Sequence, residues 1–210
     1  MTHATLGLVG VVTLLVGCAG RSSQAPAAPP YSGPLDFPSD RADDFFDRQR
    51  IVASYGSQSF GFDAVLQKRG DELTLLGLTP FGTRAFVVTQ KGADVSFQTF
   101  VGTALPFPPR YMLIDVHRVF FQASAPGGEG PATEGERAIS GTNEVIAERW
   151  HEGRLLQRTF SRRDARPPGK IVVDYDGGMG EGEGHPHHVV LTNGWYGYRL
   201  DITTLSHKPL

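Results

Sequence analysis

The densest set of groups able to hold a metal ion lies in DYDGGMGEGEGHPHH, residues 174–188. Asp174, Asp176, Glu181 and Glu183 offer carboxylates, and His185, His187 and His188 offer imidazole nitrogens. Calcium needs more oxygen ligands in a fixed order, and the twelve-residue EF-hand pattern is not met. Zinc would call for an HExxH helix or a second ligand cluster, and neither is present. No helix pattern follows the glycines, so the stretch is not a dinucleotide fingerprint either. It reads as a Gly-rich connection between two strands, with no metal and no cofactor expected. No GxSxG nucleophile elbow occurs. Asp115 and His117 have no partner at the level of sequence, and no catalytic residue is assigned. A non-enzymatic role is therefore the expectation.

A second stretch is basic. Arg149, Arg154, Arg158, Arg162, Arg163, Arg166 and Lys170 are opposed only by Glu152 and Asp164. They read as the solvated faces of a hairpin, or else as a surface for anionic headgroups or an acidic partner. The whole chain, at net charge −2, has no basic excess that would draw nucleic acid.

Cys18 is the sole cysteine, so an intramolecular disulfide is impossible. Residues 6–17, LGLVGVVTLLVG, form a 12-residue apolar run, too short for a comfortable membrane span and suited to a signal-peptide core. The preceding MTHAT lacks Lys and Arg. LVGC, residues 15–18, resembles a bacterial lipobox. The resemblance implies that Cys18 carries acyl chains, palmitate among them, each buried methylene contributing about 0.8 kcal/mol. A secretory signal with a chance cysteine is the other reading. Ala19 stands where the inner-membrane retention signal has Asp, which favours an outer-membrane anchor facing the periplasm. Residues 1–17 are thus read as a signal peptide, 18–34 as an acylated cysteine with a Pro-, Ala- and Ser-rich tether, and 35–210 as one domain.

The elements of that domain follow from periodicity. Ser39 or Asp40 is expected to cap a short helix of two or three turns with Asp43 and Asp44 in its first turn. From about residue 47 the period is two, and short turns join successive strands. Phe60, Phe62, Ala64 and Leu66 share a face. Leu73 and Leu75 followed by Leu76 and Leu78 suggest a bulge at Leu75–Leu76. Pro108 and Pro109 suit the start of a helix whose residues Leu113, Val116 and Phe120, flanked by Met112 and Val119, should be largely buried. Residues 124–141 read as a polar loop. A hairpin turns at His151–Gly153, and Asn193-Gly194 suggests a type I′ hairpin turn. The sum is a mainly β fold of about nine to eleven antiparallel strands. Parallel βαβ architecture is not expected, because no helix-length segment interrupts the first meander.

Phe81 is anomalous in this scheme. LTPFGTRAFVV, residues 78–88, puts a large aromatic at the tip of a turn. GDELTLLGLTPFGTRAFVVTQKGADVSFQ is similar to the LolB stretch with two strands around an L-T-N-P-L-G-S turn. LPFPPRYML resembles the Pro-rich entry to LolB's internal helix, and IVVDYDGG and VVLTNGWYGYRLDI resemble its closing strands. The similarity spans about residues 45–205. It points to LolB-like lipoproteins associated with aryl-polyene gene clusters rather than to LolB proper, the outer-membrane receptor that accepts lipoproteins from the carrier LolA. The resemblance implies a curved antiparallel sheet, an incomplete half-barrel whose mouth is plugged by the internal helix. It implies a monomer that binds or transfers lipid or lipoprotein acyl chains, with a LolA-like periplasmic carrier as a partner. Phe81 matches the apolar residue that acts at the membrane. The candidates for the acyl-binding face are Phe60, Phe62, Leu66, Leu73, Leu75, Phe86, Val88, Phe97, Leu113, Tyr196, Tyr198 and Leu200. They would equally suit a filled core. A structural lipoprotein docking an envelope protein is the alternative function, and an enzyme ranks third.

Overall fold

The computed structural model describes residues 35–102, 108–121, 134–140, 143–164, 168–180 and 185–210. Cys18, the signal-like run and the tether lie outside them. Five strands form the first meander: β1 (Phe45–Tyr55), β2 (Gln58–Arg69), β3 (Glu72–Leu78), β4 (Arg84–Lys91) and β5 (Asp94–Thr99). A helix, α1, follows at Arg110–Val116 and continues as a π turn over His117–Phe121. Six strands complete the chain: β6 (Gly135–Ser140), β7 (Glu144–His151), β8 (Arg154–Arg162), β9 (Ile171–Gly180), β10 (His188–Asn193) and β11 (Tyr198–Pro209).

All eleven strands belong to one antiparallel sheet in the order β5-β4-β3-β2-β1-β11-β10-β9-β8-β7-β6. The first and last strands pair at its centre, from Phe45 opposite Pro209 to Tyr55 opposite Tyr198. β5 and β6 are its two edges, so the sheet is not closed into a barrel. The alternation that announced the strands places one set of side chains inward. On β1 these are Phe45, Asp47, Gln49, Ile51 and Ala53, and their neighbours Arg48, Arg50 and Val52 are exposed.

The sheet curls around α1. β4 and β7 are eight strand steps apart in the order, roughly 38 Å if the sheet were flat. Yet Gln90 of β4 and Glu144 of β7 hydrogen-bond to consecutive residues of the helix segment, His117 and Arg118. Register shifts at Arg48/Gln49, Gly77/Leu78, Arg149/Trp150 and Leu155/Gln157 supply local bends.

Every residue of the helix segment from Leu113 to Phe120 is buried. Three of these are polar, and each is tied to the sheet. The Tyr198 hydroxyl donates to Asp115. Arg118 donates to Glu144 at 2.9 Å and lies over the Phe160 and Trp195 rings, 4.4 and 5.2 Å from their centroids. His117 Nε2 meets Gln90 Oε1 at 2.7 Å. The Gln90 amide donates to the carbonyls of Asp36 and Gly92, so its oxygen must accept from an Nε2–H of neutral His117. The π turn also leaves carbonyls to be satisfied. Tyr175 donates to that of Val119 and Arg41 to that of Phe120.

Several expectations are corrected. The N-terminal helix is one 3-10 turn, Pro38–Asp40, without a side-chain cap. Asp43 and Asp44 pair with Arg41 and Lys68 instead of a helix end. β3 is regular through Leu75–Leu76, and the shift comes at Gly77/Leu78. Residues 135–140, expected in a loop, are strand β6; residues 124–133 and 141 lie outside the described residues. The β10–β11 connection is a four-residue turn, not a two-residue type I′ turn. Asn193 is fully buried, its Oδ1 accepts from the backbone N–H of Trp195 and Tyr196, and Gly197 closes the turn onto the Asn193 carbonyl. The β7–β8 hairpin does turn where expected, with Glu152 and Gly153 both at positive φ, 50° and 73°.

The basic stretch also divides. Arg158 is buried and donates to the fully buried Glu148 at 2.8 Å, and Trp150 donates to the same carboxylate. Glu148→Leu should therefore cost about 3–5 kcal/mol in urea denaturation by stranding the Arg158 charge, and adding Arg158→Met should recover most of it.

Burial pushes the His117 imidazole down to about 4, with the Arg110 charge adding to the effect. Its Nδ1 has no partner among the described residues, so a second proton would find no acceptor. The unfolded chain takes up that proton near its ordinary value and the folded chain does not. The stability linked to His117 is therefore present above about pH 6.5 and is lost as pH falls toward 4, by up to about 3 kcal/mol. Denaturation at pH 7 and pH 4 should show a smaller difference for His117→Gln than for the parent.

Candidate functional site

The inward face has a closed part and an open part. Leu66, Leu73, Leu75 and Val88 of the sheet and Leu113 of α1 are at most 5% exposed and join a core that runs on to β11. No surface of these five sequence-derived candidates is left for a ligand while the helix is in place. Tyr196, Tyr198 and Leu200 are partly buried against the same core. The Tyr198 hydroxyl accepts from Asn193 and donates to Asp115. Burial and the neighbouring Asp115 charge push it well above the ordinary phenol range. These groups position the helix.

Among the described residues, the face opens beyond the N-terminal end of α1. Four phenylalanines of β2, β4 and β5 form a row: Phe60 to Phe62 at 6.2 Å between centroids, Phe62 to Phe86 at 6.0 Å, and Phe86 to Phe97 at 6.5 Å. β3 lies between β2 and β4 and contributes Gly77 to the row. A Cβ there would come within 2.3 Å of the Phe86 ring, so the missing side chain is what lets Phe86 lie across β3 and reach Phe62. Phe60 is 58% and Phe97 37% exposed.

The strand registers show which end this is. Tyr55 pairs with Gln58 and with Tyr198, Leu78 pairs with Arg84, and Phe86 pairs with Thr99. The β1–β2, β3–β4 and β10–β11 turns therefore cluster at the same end as the row. Of the ten exposed large hydrophobic residues among those described, six are here: Tyr55, Phe60, Phe81, Phe97, Phe100 and Val101. Phe81 is 93% exposed at the tip of the β3–β4 turn. That turn is rigid, because Thr79 and Thr83 are joined through backbone and hydroxyl hydrogen bonds beneath it. The aromatic is thus held out to solvent by a braced loop and packs on no core.

The histidines of the Gly-rich stretch do not converge on one another. His188 sits on the outer face between Asp201 and Asp176, and its hydrogen bond to Asp201 foremost, opposed by partial burial, holds it protonated to higher pH than usual. A cleft of about 370 Å³ beside it is lined by Arg149, Asp174 and Asp176, with Gln157 donating to Asp174. His187 Nδ1 meets the Thr204 carbonyl. His185 points inward at the opposite end from the phenylalanine row, to Asp47. Glu181 and Glu183 lie outside the described residues. Sequence reasoning missed Asp47 and His207 as partners of His185, since their only common signal is cross-strand register.

No curated protein matches the chain. Among solved structures it is similar to a LolA superfamily protein from Nitrosomonas europaea, at 13% identity, covering 83% of this chain and 88% of that one, with a TM-score of 0.43. It is similar also to an outer membrane lipoprotein-sorting protein domain from Vibrio parahaemolyticus, at 9% identity, 82% and 87% coverage and a TM-score of 0.43. A third similarity is to a DUF1329 family protein from Desulfovibrio piger, at 9% identity, 81% and 87% coverage and a TM-score of 0.32. Residues 47–206 match the family described as "Protein of unknown function (DUF3261)", and the chain, with its open eleven-stranded sheet and apolar rim, belongs to that family.

Proposed function

We propose that this protein is an outer-membrane-anchored lipoprotein that binds lipid or lipoprotein acyl chains and passes them to or from the membrane through the open end of its half-barrel. The observation that carries the reading is the apolar rim: six exposed large hydrophobic residues at one end of a sheet, around a row of four phenylalanines. Soluble surfaces seldom gather apolar groups in this way without a ligand, partner or membrane to meet them. The row runs along the inward face to the foot of α1, so an acyl chain laid on Phe60, Phe97, Phe62 and Phe86 would lead from solvent toward the core. Burial of methylenes would supply the affinity, with no covalent chemistry.

The anchor is compatible with this orientation. The described fold begins at Leu35, which lies with Phe37 at the end away from the rim, near Gly92. A tether of residues 19–34 has a reach of up to about 55 Å when extended, and an eleven-residue strand such as β1 is about 36 Å long. Cys18 could therefore be fixed in the membrane while the rim faces the same membrane.

Mass spectrometry of the native acylated protein should find co-purified lipid, and vesicle assays should show lipid or lipoprotein transfer. Repeated delipidation with neither bound nor exchanged lipid would remove the proposal, and a stoichiometric protein crosslinked at the rim would favour the docking alternative.

Phe81→Glu should leave stability within about 0.5 kcal/mol of the parent, because the side chain packs on nothing. The same variant should lower delivery to vesicles about tenfold. Phe60→Glu and Phe97→Glu should instead weaken binding of a fluorescent fatty acid in solution, which Phe81→Glu should not.

A further inference from the structure

We propose that Asp47, His185 and His207 form a binding site for a divalent first-row transition metal ion of the zinc type. The site lies at the end of the sheet opposite the aromatic rim and is independent of acyl-chain binding. Asp47 and His207 are cross-strand partners on the central β1–β11 pair, and His185 stands just before β10. Asp47 Oδ1 is 2.7 Å from His207 Nδ1, and Asp47 Oδ2 is 2.7 Å from His185 Nδ1. The two imidazoles stack with centroids 3.8 Å apart and planes 30° from parallel. One ligand atom from each of the three residues thus lies within 4.8 Å of the others.

Charge argues for a cation. Asp47 is fully buried, and among the described residues it forms no ion pair with a lysine or arginine. The nearby cations are engaged elsewhere: Arg41 with Asp43 and the Phe120 carbonyl, Lys68 with Asp44. A buried carboxylate needs a counter-charge. Two imidazolium rings in face-to-face contact would repel each other, so protonating both is a poor answer. A divalent ion neutralises the carboxylate and lets both rings stay uncharged.

The far side of His185 is a second, independent indication. Its Nε2 is buried and makes no hydrogen bond among the described residues, and Asp43 Oδ2 stands 3.6 Å away. When Nδ1 binds a metal the ring proton must sit on Nε2, facing that carboxylate. A carboxylate behind a metal-bound imidazole is the usual outer-shell arrangement. Phe45 packs edge-on to the His185 ring at 4.3 Å and walls the site from the core. His207 is one-third exposed, which leaves a path for the ion and an open coordination position toward water.

Two nitrogens and one carboxylate oxygen suit zinc and its neighbours and not the oxygen-only preference of calcium or magnesium. Ligands about 2.1 Å from a tetrahedral ion are about 3.4 Å apart, so each 2.7 Å contact must open by about 0.7 Å. The exposed His207 can supply most of that movement. Sequence inspection could not find the set, because 138 residues separate Asp47 from His185.

The test is calorimetric titration of the metal-free full chain with Zn²⁺, together with the visible spectrum of its Co²⁺ form. One ion per chain at micromolar affinity or better is expected, with a Co²⁺ ligand-field band. His207→Ala, a change at a partly exposed side chain, should weaken Zn²⁺ binding at least tenfold and abolish the band. Asp47→Asn should do the same if it folds. His187→Ala should change neither. Absence of saturable Zn²⁺ binding, or binding that His207→Ala leaves intact, overturns the proposal.

Discussion

The segment joining the two free edges of the sheet has to cross its inward side, and most of the architecture depends on how it does so. The chain leaves the sheet at β5, one edge, and re-enters at β6, the other. α1 and its π turn are the described part of that connection. Apolar packing of Leu113, Ile114, Val116, Val119 and Phe120 drives the segment inward, but hydrophobic burial alone does not choose an orientation. The polar ties choose it. Asp115 to Tyr198, His117 to Gln90, Arg118 to Glu144, Tyr175 to the Val119 carbonyl and Arg41 to the Phe120 carbonyl reach four strands and the entry segment. Each is satisfied only in one rotation of the helix about its axis. Buried ion pairs contribute little net stability against apolar replacements, so their physical effect here is the specification of position.

That position decides what is core and what is open. The helix lies along the strands, with Tyr111 beside Tyr196 at the turn-rich end and Phe121 beside Phe45 at the other. Its side chains cover the middle and far part of the inward face and stop short of the β2–β5 end. The phenylalanine row is the continuation of the same apolar stripe beyond the helix. Gly77 makes the row continuous by removing the one side chain that would have stood between Phe62 and Phe86.

Much of this was legible in the sequence, and the parts that were not share a cause. Alternation of large and polar residues located ten of the eleven strands, because a strand with one buried face must carry that pattern. β6 escaped since GERAIS is an edge strand with only Arg137 and Ile139 partly covered, so it has little burial to record. The Pro108-Pro109 pair marked the start of the helix. What failed were inferences that assigned a polar residue its most local role. Asp43 and Asp44 looked like helix-start acids and are partners of Arg41 and Lys68. Asn193-Gly194 looked like a two-residue turn, but the Asn193 side chain is buried and organises a longer one. Arg158 looked like a solvated hairpin residue and is the core partner of Glu148. Asp44 and Arg158 find their partners on β2 and β7, Asp43 and Asn193 within three residues of themselves, and a periodicity encodes neither kind of contact. The site divides likewise: a period of two can propose an inward-facing set, but which of its members the helix covers is a tertiary fact.

The two ends of the half-barrel are chemically opposite, and the topology explains why. The rim end carries the β1–β2, β3–β4 and β10–β11 turns, with Gly169 and Lys170 before β9 hydrogen-bonded to the last of these. There Phe81 is held out on a braced five-residue tip. The other end receives Leu35 to Asp44, the end of the π turn, the segment before β10 and the last residues of β11. Four chain segments converging there must bury backbone and charge together. Arg41, Asp43, Asp44 and Lys68 pair with one another and with that backbone, and Asp47, His185 and His207 gather beside them. Among the described residues, a polar, cross-braced floor thus closes the far end of the apolar stripe, and the helix ties hold the cover over its middle.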